Sequence, residues 1–345
     1  MTAPRRARNP IALALARAAD EIARASAEVG ERVMIDIDRV ADRSDALELK
    51  PPGVWSANRS CRLVRAADGW IAVNMARPDD ADLIPAWVGR RIGAHLWPAI
   101  QRAARRRPWR RLVSRARLLG LPIAGLGEIA PRARAVKRFR LGDGGSCPRR
   151  EAPRVVDLST LWAGPLCGSI LAMAGASVMK LESRTRPDAT WNSSPEFFRR
   201  LNGAKTLAAF DISRPGDLDW LRAKIAEADV LITSARPRAF AHNGLDPATL
   251  FAANPRLVWV AITGYGWRGP NSSRVAFGDD AAIAGGLVRW TKLGRPRFLG
   301  DALADPLTGL AAAGAALRAI SEGGGFLVDA PLARCAAAAA ALLKG

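Results

Sequence analysis

The sequence predicts an α/β protein: a large domain on a Rossmann-like parallel sheet, with a smaller α+β domain on its N-terminal side. Two observations carry this. Residues 154–182, RVVDLSTLWAGPLCGSILAMAGASVMKLE, read as strand, turn, helix and strand. The apolar run Arg154–Leu158 is a buried strand, Ala163-Gly164-Pro165 breaks it, Leu166–Ala174 is helical up to Gly175, and Ser177–Leu181 is the next strand. Beyond Glu151, strand and helix patterns go on alternating, as a parallel sheet with crossover helices requires. In such sheets, turns at the carboxyl ends of strands let backbone N–H groups approach a nucleotide-like ligand. The turn here is not G-x-G-x-x-G, so the dinucleotide fingerprint is absent.

Taken in order, residues 1–10 read as a frayed end and Ile11–Val29 as a helix stopped by Gly30. Arg32–Ile37 is expected to be a short strand, and Asp38–Gly53 a connector closed by Pro51-Pro52-Gly53, so that residues 1–54 form a helical and connecting segment. The small domain runs over 55–129. Ser60–Val64 and Trp70–Asn74 make a hairpin around an Asp68-Gly69 turn, Ala81–Val88, Ile92–Ala104 and Pro108–Leu118 are helices, and Leu121-Pro122-Ile123 is an extended return. Residues 130–150, rich in Arg, Gly and Pro, read as a linker, and 151–345 as the large domain. Its remaining strands are expected at Thr206–Asp211, Val230–Thr233, Leu257–Thr263 and Phe326–Ala330, and its helices at Gly216–Ala228, Pro247–Ala253, Asp279–Gly285 and Pro306–Ile320, with a last helix closing the chain.

Composition excludes several classes. Only His95 and His242 are present, which argues against a multi-histidine metal site. Cys61, Cys147, Cys167 and Cys335 form no C-x-x-C pair and read as reduced thiols of a cytoplasmic protein. Ile11–Ala16 is too short for a signal core, and the Ala-rich tail too short to span a bilayer. The net charge of +20 is uneven, about +15 before residue 151 and +5 after, with the densest arginine runs at Arg102–Arg117 and Arg132–Arg140. Such a field attracts polyanions. With 45 Arg against 7 Lys and abundant Ala, the excess also reads as plain composition. No zinc-finger spacing, aromatic RNA-binding pattern or basic heptad array accompanies it, so nucleic acid is not the expected partner.

Six segments, in order, resemble the class III CoA-transferase (CaiB/BaiF) family. They are VVDLSTLWAGP (155–165), GASVMKLE (175–182), LNGAKTLAAFDI (201–212), ADVLITSARPRAFAHNGLD (228–246), NPRLVWVAITGYGWRGP (254–270) and GDALADPLTGLAAAGAAL (300–317). SCRLVRAADGWIAVNMA (60–76) and RARLLGLPIAGLGE (115–128) are similar to that family's smaller domain, which usually follows the large one and here precedes it.

The resemblance implies a CoA-transferase that moves CoA from an acyl-CoA thioester to a carboxylic acid through an aspartyl intermediate, with CoA as substrate, no cofactor and no metal. It also implies a homodimer, although the reversed order puts the family's interlocked ring in question. The matching nucleophile is Asp305, with Asp301 a poorer match; from local sequence alone, Asp305 before Pro306 reads first as a helix cap, and the resemblance is what favours the nucleophile. CoA contacts carried over by position fall on Trp162 and Ala163; on Arg184; on Phe210, Asp211, Ile212 and Ser213; on Ser234, Ala235, Arg236 and His242; and on Thr263, Gly264, Tyr265 and Gly266. Arg184 and Arg236 suit phosphate. Ser183, Arg238, His242 and Asn243 depart from the family pattern, which leaves open a catalytically silent CoA-binding protein. The position of the family's racemase histidine holds Phe277, which cannot move a proton.

Overall fold

The computed structural model describes residues 10–92, 95–131, 134–145 and 152–342. Residues 1–9, Arg132 and Cys147 lie outside them, so the expectations for a frayed end, that thiol and that end of the second arginine run do too. In chain order the strands are β1 (Cys61–Arg65), β2 (Trp70–Asn74), β3 (Ile123–Gly125), β4 (Lys137–Arg140), β5 (Arg154–Leu158), β6 (Ser177–Ser183), β7 (Thr206–Phe210), β8 (Val230–Thr233), β9 (Val258–Thr263), β10 (Val288–Trp290), β11 (Pro296–Phe298) and β12 (Phe326–Pro331). The helices are α1 (Pro10–Val29), α2 (Ile37–Val40), α3 (Ile84–Val88), α4 (Leu96–Arg105), α5 (Trp109–Leu118), α6 (Ala163–Met173), α7 (Ala189–Ser193), α8 (Pro195–Asn202), α9 (Pro215–Glu227), α10 (Pro237–Ala241), α11 (Pro247–Ala253), α12 (Gly278–Gly285), α13 (Ala304–Ser321) and α14 (Leu332–Ala341). None of the described helices is long and apolar enough to cross a membrane.

The chain divides into two compact units. The first takes residues up to 46, 136–272 and 306–331; the second takes 47–135, 273–305 and 332–345. This differs from the expected boundaries at three places. The N-terminal helix belongs with the large unit, the expected linker contains β4, and two stretches of the expected large domain belong to the small unit.

In the first unit, seven strands order as β4-β12-β9-β8-β5-β6-β7, all parallel except the edge pair β12–β4. The order runs outward in both directions from the β5–β8 pair, so the crevice of an open α/β sheet opens beyond their carboxyl ends. One face of the sheet is sealed by Leu221 and Ile225 of α9, Phe240 of α10 and Leu250 and Phe251 of α11, packed against Val156, Leu231, Trp259 and Leu327. Proline opens α8, α9, α10 and α11, where a missing N–H costs nothing. The expected strand at Arg32–Ile37 does not form. The Ser26 hydroxyl takes the Val33 amide, and Asp36 caps α2 from Ile37 onward.

In the second unit, β1, β2 and β3 form an antiparallel sheet and β10 and β11 a short hairpin. Trp87, Ile100, Leu112 and Ile123 fill the core between this sheet and α3, α4 and α5. Ile283 of α12, Val288 and Phe298 close a second cluster with Cys61, Leu63 and Ala72. All eight residues of α12 are buried.

Candidate functional site

The turn after β5 is held from below by two buried lysines. Lys180 of β6 donates to the Ser159 carbonyl at 2.6 Å. Lys205 donates to Asp157 Oδ2, to the Pro165 carbonyl and to Asn202 Oδ1, each at 2.8 Å. Burial pushes the Asp157 carboxyl up, but Lys205 and Lys180 more than reverse this and hold it below the usual carboxylate range. Close approach explains two glycines. A Cβ on Gly164 would lie 2.2 Å from Ser159 Cβ, and one on Gly168 would lie 2.8 Å from Asp157 Oδ2. Leu161 is left-handed, with φ 71°, and its amide donates to Asp188 Oδ2 at 2.8 Å. Asp188 in turn hangs by its own amide from Glu182, at the end of β6. A strained non-glycine residue held this firmly marks a turn whose shape is enforced.

The binding residues expected from sequence gather at the carboxyl ends of β5 to β9. At the crevice between β5 and β8, the Thr160 amide donates to the Ser234 hydroxyl at 3.0 Å; Ala235 and Arg236 follow, exposed. Beyond β6 and β7, the Arg184 amide donates to the Phe210 carbonyl at 2.8 Å. Asp211 takes the Ser213 hydroxyl and amide, and these bonds, with Arg214 and Arg184 adding charge, lower its carboxyl. Ile212 is exposed beside them. At the end of β9 the Thr263 hydroxyl donates to Asp329 Oδ1, which also takes the Trp267 amide; Gly264 and Tyr265 are half-buried, and Gly266 has φ 121°. Two placements limit what a side chain can touch. Trp162 is 2% exposed, edge-on to Phe197 and under Arg43, and Ala163 is buried, so the first turn offers backbone rather than side chain. His242 is exposed at the end of α10.

Asp305 stands in the first turn of α13. It is half-buried, whereas Asp301, Ala302, Leu303, Ala304 and Pro306 around it are buried. Its amide donates to the Ala302 carbonyl at 2.9 Å, and Ala302 has φ 44°, a left-handed conformation costly for a residue with a Cβ. Gly278 makes the room: a Cβ there would lie 2.1 Å from Asp305 Oδ2 and 2.5 Å from the Ala302 carbonyl. Four residues further along the same helix, a Cβ on Gly309 would lie 2.8 Å from the Ala163 carbonyl, so α13 packs its second turn against the turn after β5. A carboxylate at a helix N-terminus is favoured in its ionised, nucleophilic form. Asp301 is buried and receives the Asn58 amide, whereas Asp305 is half-buried. The Phe277 amide donates to Asp280 Oδ1 at 2.9 Å. Sequence reasoning missed the bracing roles of Lys180, Lys205 and Asp188, and the part taken by Asn58, Gly278 and Asp279; the two lysines lie inside matched motifs, but nothing in those motifs says what a lysine holds. Among the described residues, no group of three or more His, Cys, Asp or Glu side chains could hold a metal ion.

Comparison with known proteins identifies the family. The family described as CoA-transferase family III matches residues 152–342. An acyl-CoA transferase of Fusarium pseudograminearum is 32% identical over 200 residues, covering 52% of this chain and 44% of that protein. A succinate–glutarate CoA-transferase of Agrobacterium fabrum is 30% identical over 205 residues, covering 53% and 51%. Among solved structures, a CaiB/BaiF family protein from Brucella suis shares 30% identity at a TM-score of 0.50, covering 54% of this chain and 53% of that one. The chain spans about half the length of the curated relatives it matches. The match takes in more than half of the chain, including the six parallel strands of the sheet, the braced turn and Asp305: this protein belongs to CoA-transferase family III.

Proposed function

We propose that this chain moves CoA from an acyl-CoA thioester to a carboxylic acid through Asp305. The reading rests on one observation above the rest: a half-buried aspartate in the first turn of α13, ringed by buried neighbours and given space by Gly278. The Asp305 carboxylate attacks the thioester carbonyl, the C–S bond breaks, and CoA thiolate leaves a mixed anhydride. The thiolate then attacks the aspartyl carbonyl, which releases the donor acid and leaves an aspartyl-CoA thioester. The acceptor carboxylate attacks that thioester, and the departing thiolate collects the acceptor's acyl group from the second anhydride, restoring Asp305. A carboxylate suits each step because it is a nucleophile when free and a good leaving group when acylated. CoA enters as substrate, with no further cofactor. Arg184 and Arg236, exposed at strand ends, are the phosphate partners of this reading. It also includes a homodimer, and a cytoplasmic setting that suits Cys61, Cys167 and Cys335, which form no disulfide with one another.

Since the Agrobacterium relative is named for succinate and glutarate, succinyl-CoA with glutarate is the probe of choice. Hydroxylamine added during turnover should yield a hydroxamate at Asp305, located by peptide mass spectrometry, and Asp305→Ala should lose transfer by at least about 10³-fold. Full transfer by Asp305→Ala refutes the assignment. Binding of CoA without adduct or transfer, across a panel of acyl donors, assigns the chain instead to the catalytically silent reading.

A further inference from the structure

Asp305 owes its presentation to a turn that is strained, and that turn is tied to the half of the chain outside the family match. Asn58 donates its one amide nitrogen to two buried carboxylates, Asp279 Oδ2 at 2.9 Å and Asp301 Oδ1 at 3.2 Å. These partners lie 221 and 243 residues away in sequence. The other edge of the Asn58 amide is fixed as firmly. Its Oδ1 accepts from the Ser56 hydroxyl at 2.8 Å, the Ser60 amide at 2.9 Å and the Ser60 hydroxyl at 2.8 Å. Three donors on one side and two acceptors on the other leave only one orientation for the amide. The turn that carries Asn58 is itself left-handed at Arg59, φ 64°.

Asp279 passes the restraint on. Its second oxygen accepts the amide of Ala302 at 2.9 Å, the residue held at φ 44°. The Ala302 carbonyl then receives the amide of Asp305. Asp301, the other partner of Asn58, immediately precedes Ala302. The left-handed turn is thus held on both sides by one side chain: through Asp301 directly before it and through Asp279 at its N–H. A non-glycine residue keeps such a conformation only where its surroundings enforce it.

We propose that Asn58 is a positioning residue for the nucleophile: it clamps Asp279 and Asp301, fixes the left-handed turn at Ala302, and thereby sets the direction in which Asp305 leaves the helix. This rests on the reading of Asp305 as nucleophile. Asn58 lies well before residue 152, where the family match begins.

The test follows adduct formation at Asp305 with succinyl-CoA at saturation, trapped by hydroxylamine and quantified by mass spectrometry. Loss of the clamp in Asn58→Ala is expected to slow adduct formation by about 10- to 100-fold, since an ångström of misplacement costs that much. The concentration of succinyl-CoA giving half the maximal rate should stay within about twofold of the wild type, as ground-state binding is untouched. A second substitution supplies a readout that general destabilisation would not move. Ala302→Gly accepts a positive φ without strain, so in the Asn58→Ala background it should restore about fivefold of the lost rate. Asn58→Ser, which keeps a shorter donor, is expected to fall between the two and serves if the alanine variant does not fold. Wild-type protein without any Asp305 adduct overturns the nucleophile reading and this inference with it. An Asp305 adduct that forms as fast in Asn58→Ala as in wild type overturns this inference alone, as does a rate that Ala302→Gly leaves unrestored.

Discussion

Replacing Asp280 with asparagine is expected to remove a large pH dependence from the stability of this protein. Asp280 is fully buried in α12. Its Oδ1 accepts from Asn74 Nδ2 at 2.8 Å and from the Phe277 amide at 2.9 Å. Among the described residues its Oδ2 has no partner, and neither has the Oδ1 of the same Asn74. Two leftover acceptors on one bonded pair of side chains are what a carboxylic acid proton would satisfy. Burial pushes the carboxyl up to about 8; the bonds from Asn74 and Phe277 oppose it and the neighbouring Asp279 adds to it. Cys61 on β1 faces the same carboxylates: burial, then Asp279 and Asp280, push its thiol well up. In the unfolded chain Asp280 titrates near 3.8. Between the two values the folded state keeps a proton that the unfolded state has released, so stability falls as pH rises, and the fall ends above the folded value. At about 1.4 kcal/mol per pH unit, the interval from pH 5 to pH 8 amounts to about 4 kcal/mol. Asparagine at 280 accepts the same two bonds, donates to Asn74 Oδ1 and does not titrate. Urea unfolding followed by tryptophan fluorescence at pH 5, 6, 7 and 8 should therefore show wild type losing about 4 kcal/mol relative to Asp280→Asn. Parallel stability curves for the two proteins would refute the neutral acid.

Three further outcomes follow from the same geometry. Lys205→Met strands the fully buried Asp157 without its 2.8 Å partner and should cost about 3–5 kcal/mol in chemical unfolding, part of which Asp157→Asn restores when added. Gly278→Ala places a methyl 2.1 Å from Asp305 Oδ2, and the displaced carboxylate should lower the maximal transfer rate by about 10²-fold with the KM for acyl-CoA unchanged. Arg184→Ala, at the exposed end of β6, should weaken CoA by about five- to tenfold in isothermal titration, and more at low salt than at high salt.

The alternating strands and helices of the large unit were legible because each is bounded by apolar runs and by Gly or Pro, and β5, β8 and α11 fall where the pattern puts them. What escaped has physical reasons. β4 carries Lys137, Arg138 and Arg140 at an antiparallel edge, a composition indistinguishable from a basic linker. α8 is a short PEFFRRLN stretch whose Phe197, Phe198 and Leu201 are buried, and two adjacent phenylalanines mask its period. The assignment of residues 273–305 to the small unit was invisible because α12 is buried all round, so no polar face says what covers it. Asp305, the residue proposed as nucleophile, was singled out by the resemblance of its segment to the family's motif. Asn58 was not: its meaning depends on two aspartates more than 200 residues away, and no local pattern records such a contact.

The small unit also explains why the N-terminal half cannot be treated as an addition to a self-sufficient catalytic segment. α12 and α14 come from the stretch that matches the family, yet α12 packs against β2 and β3, which come from before residue 130. Both carboxylates at the start of α12 draw their side-chain amide donors from that earlier half, Asp279 from Asn58 and Asp280 from Asn74. Without those partners, α12 would bury two acidic groups with lost hydrogen bonds, each costing about 1–3 kcal/mol or more, next to the residue proposed as nucleophile. The packing of residues 273–305 therefore draws on the hairpin of residues 61–74 and on the turn at Asn58. The contacts that hold the start of α12 are spatial rather than sequential, and the turn at Asn58 supplies one of them from more than 200 residues away.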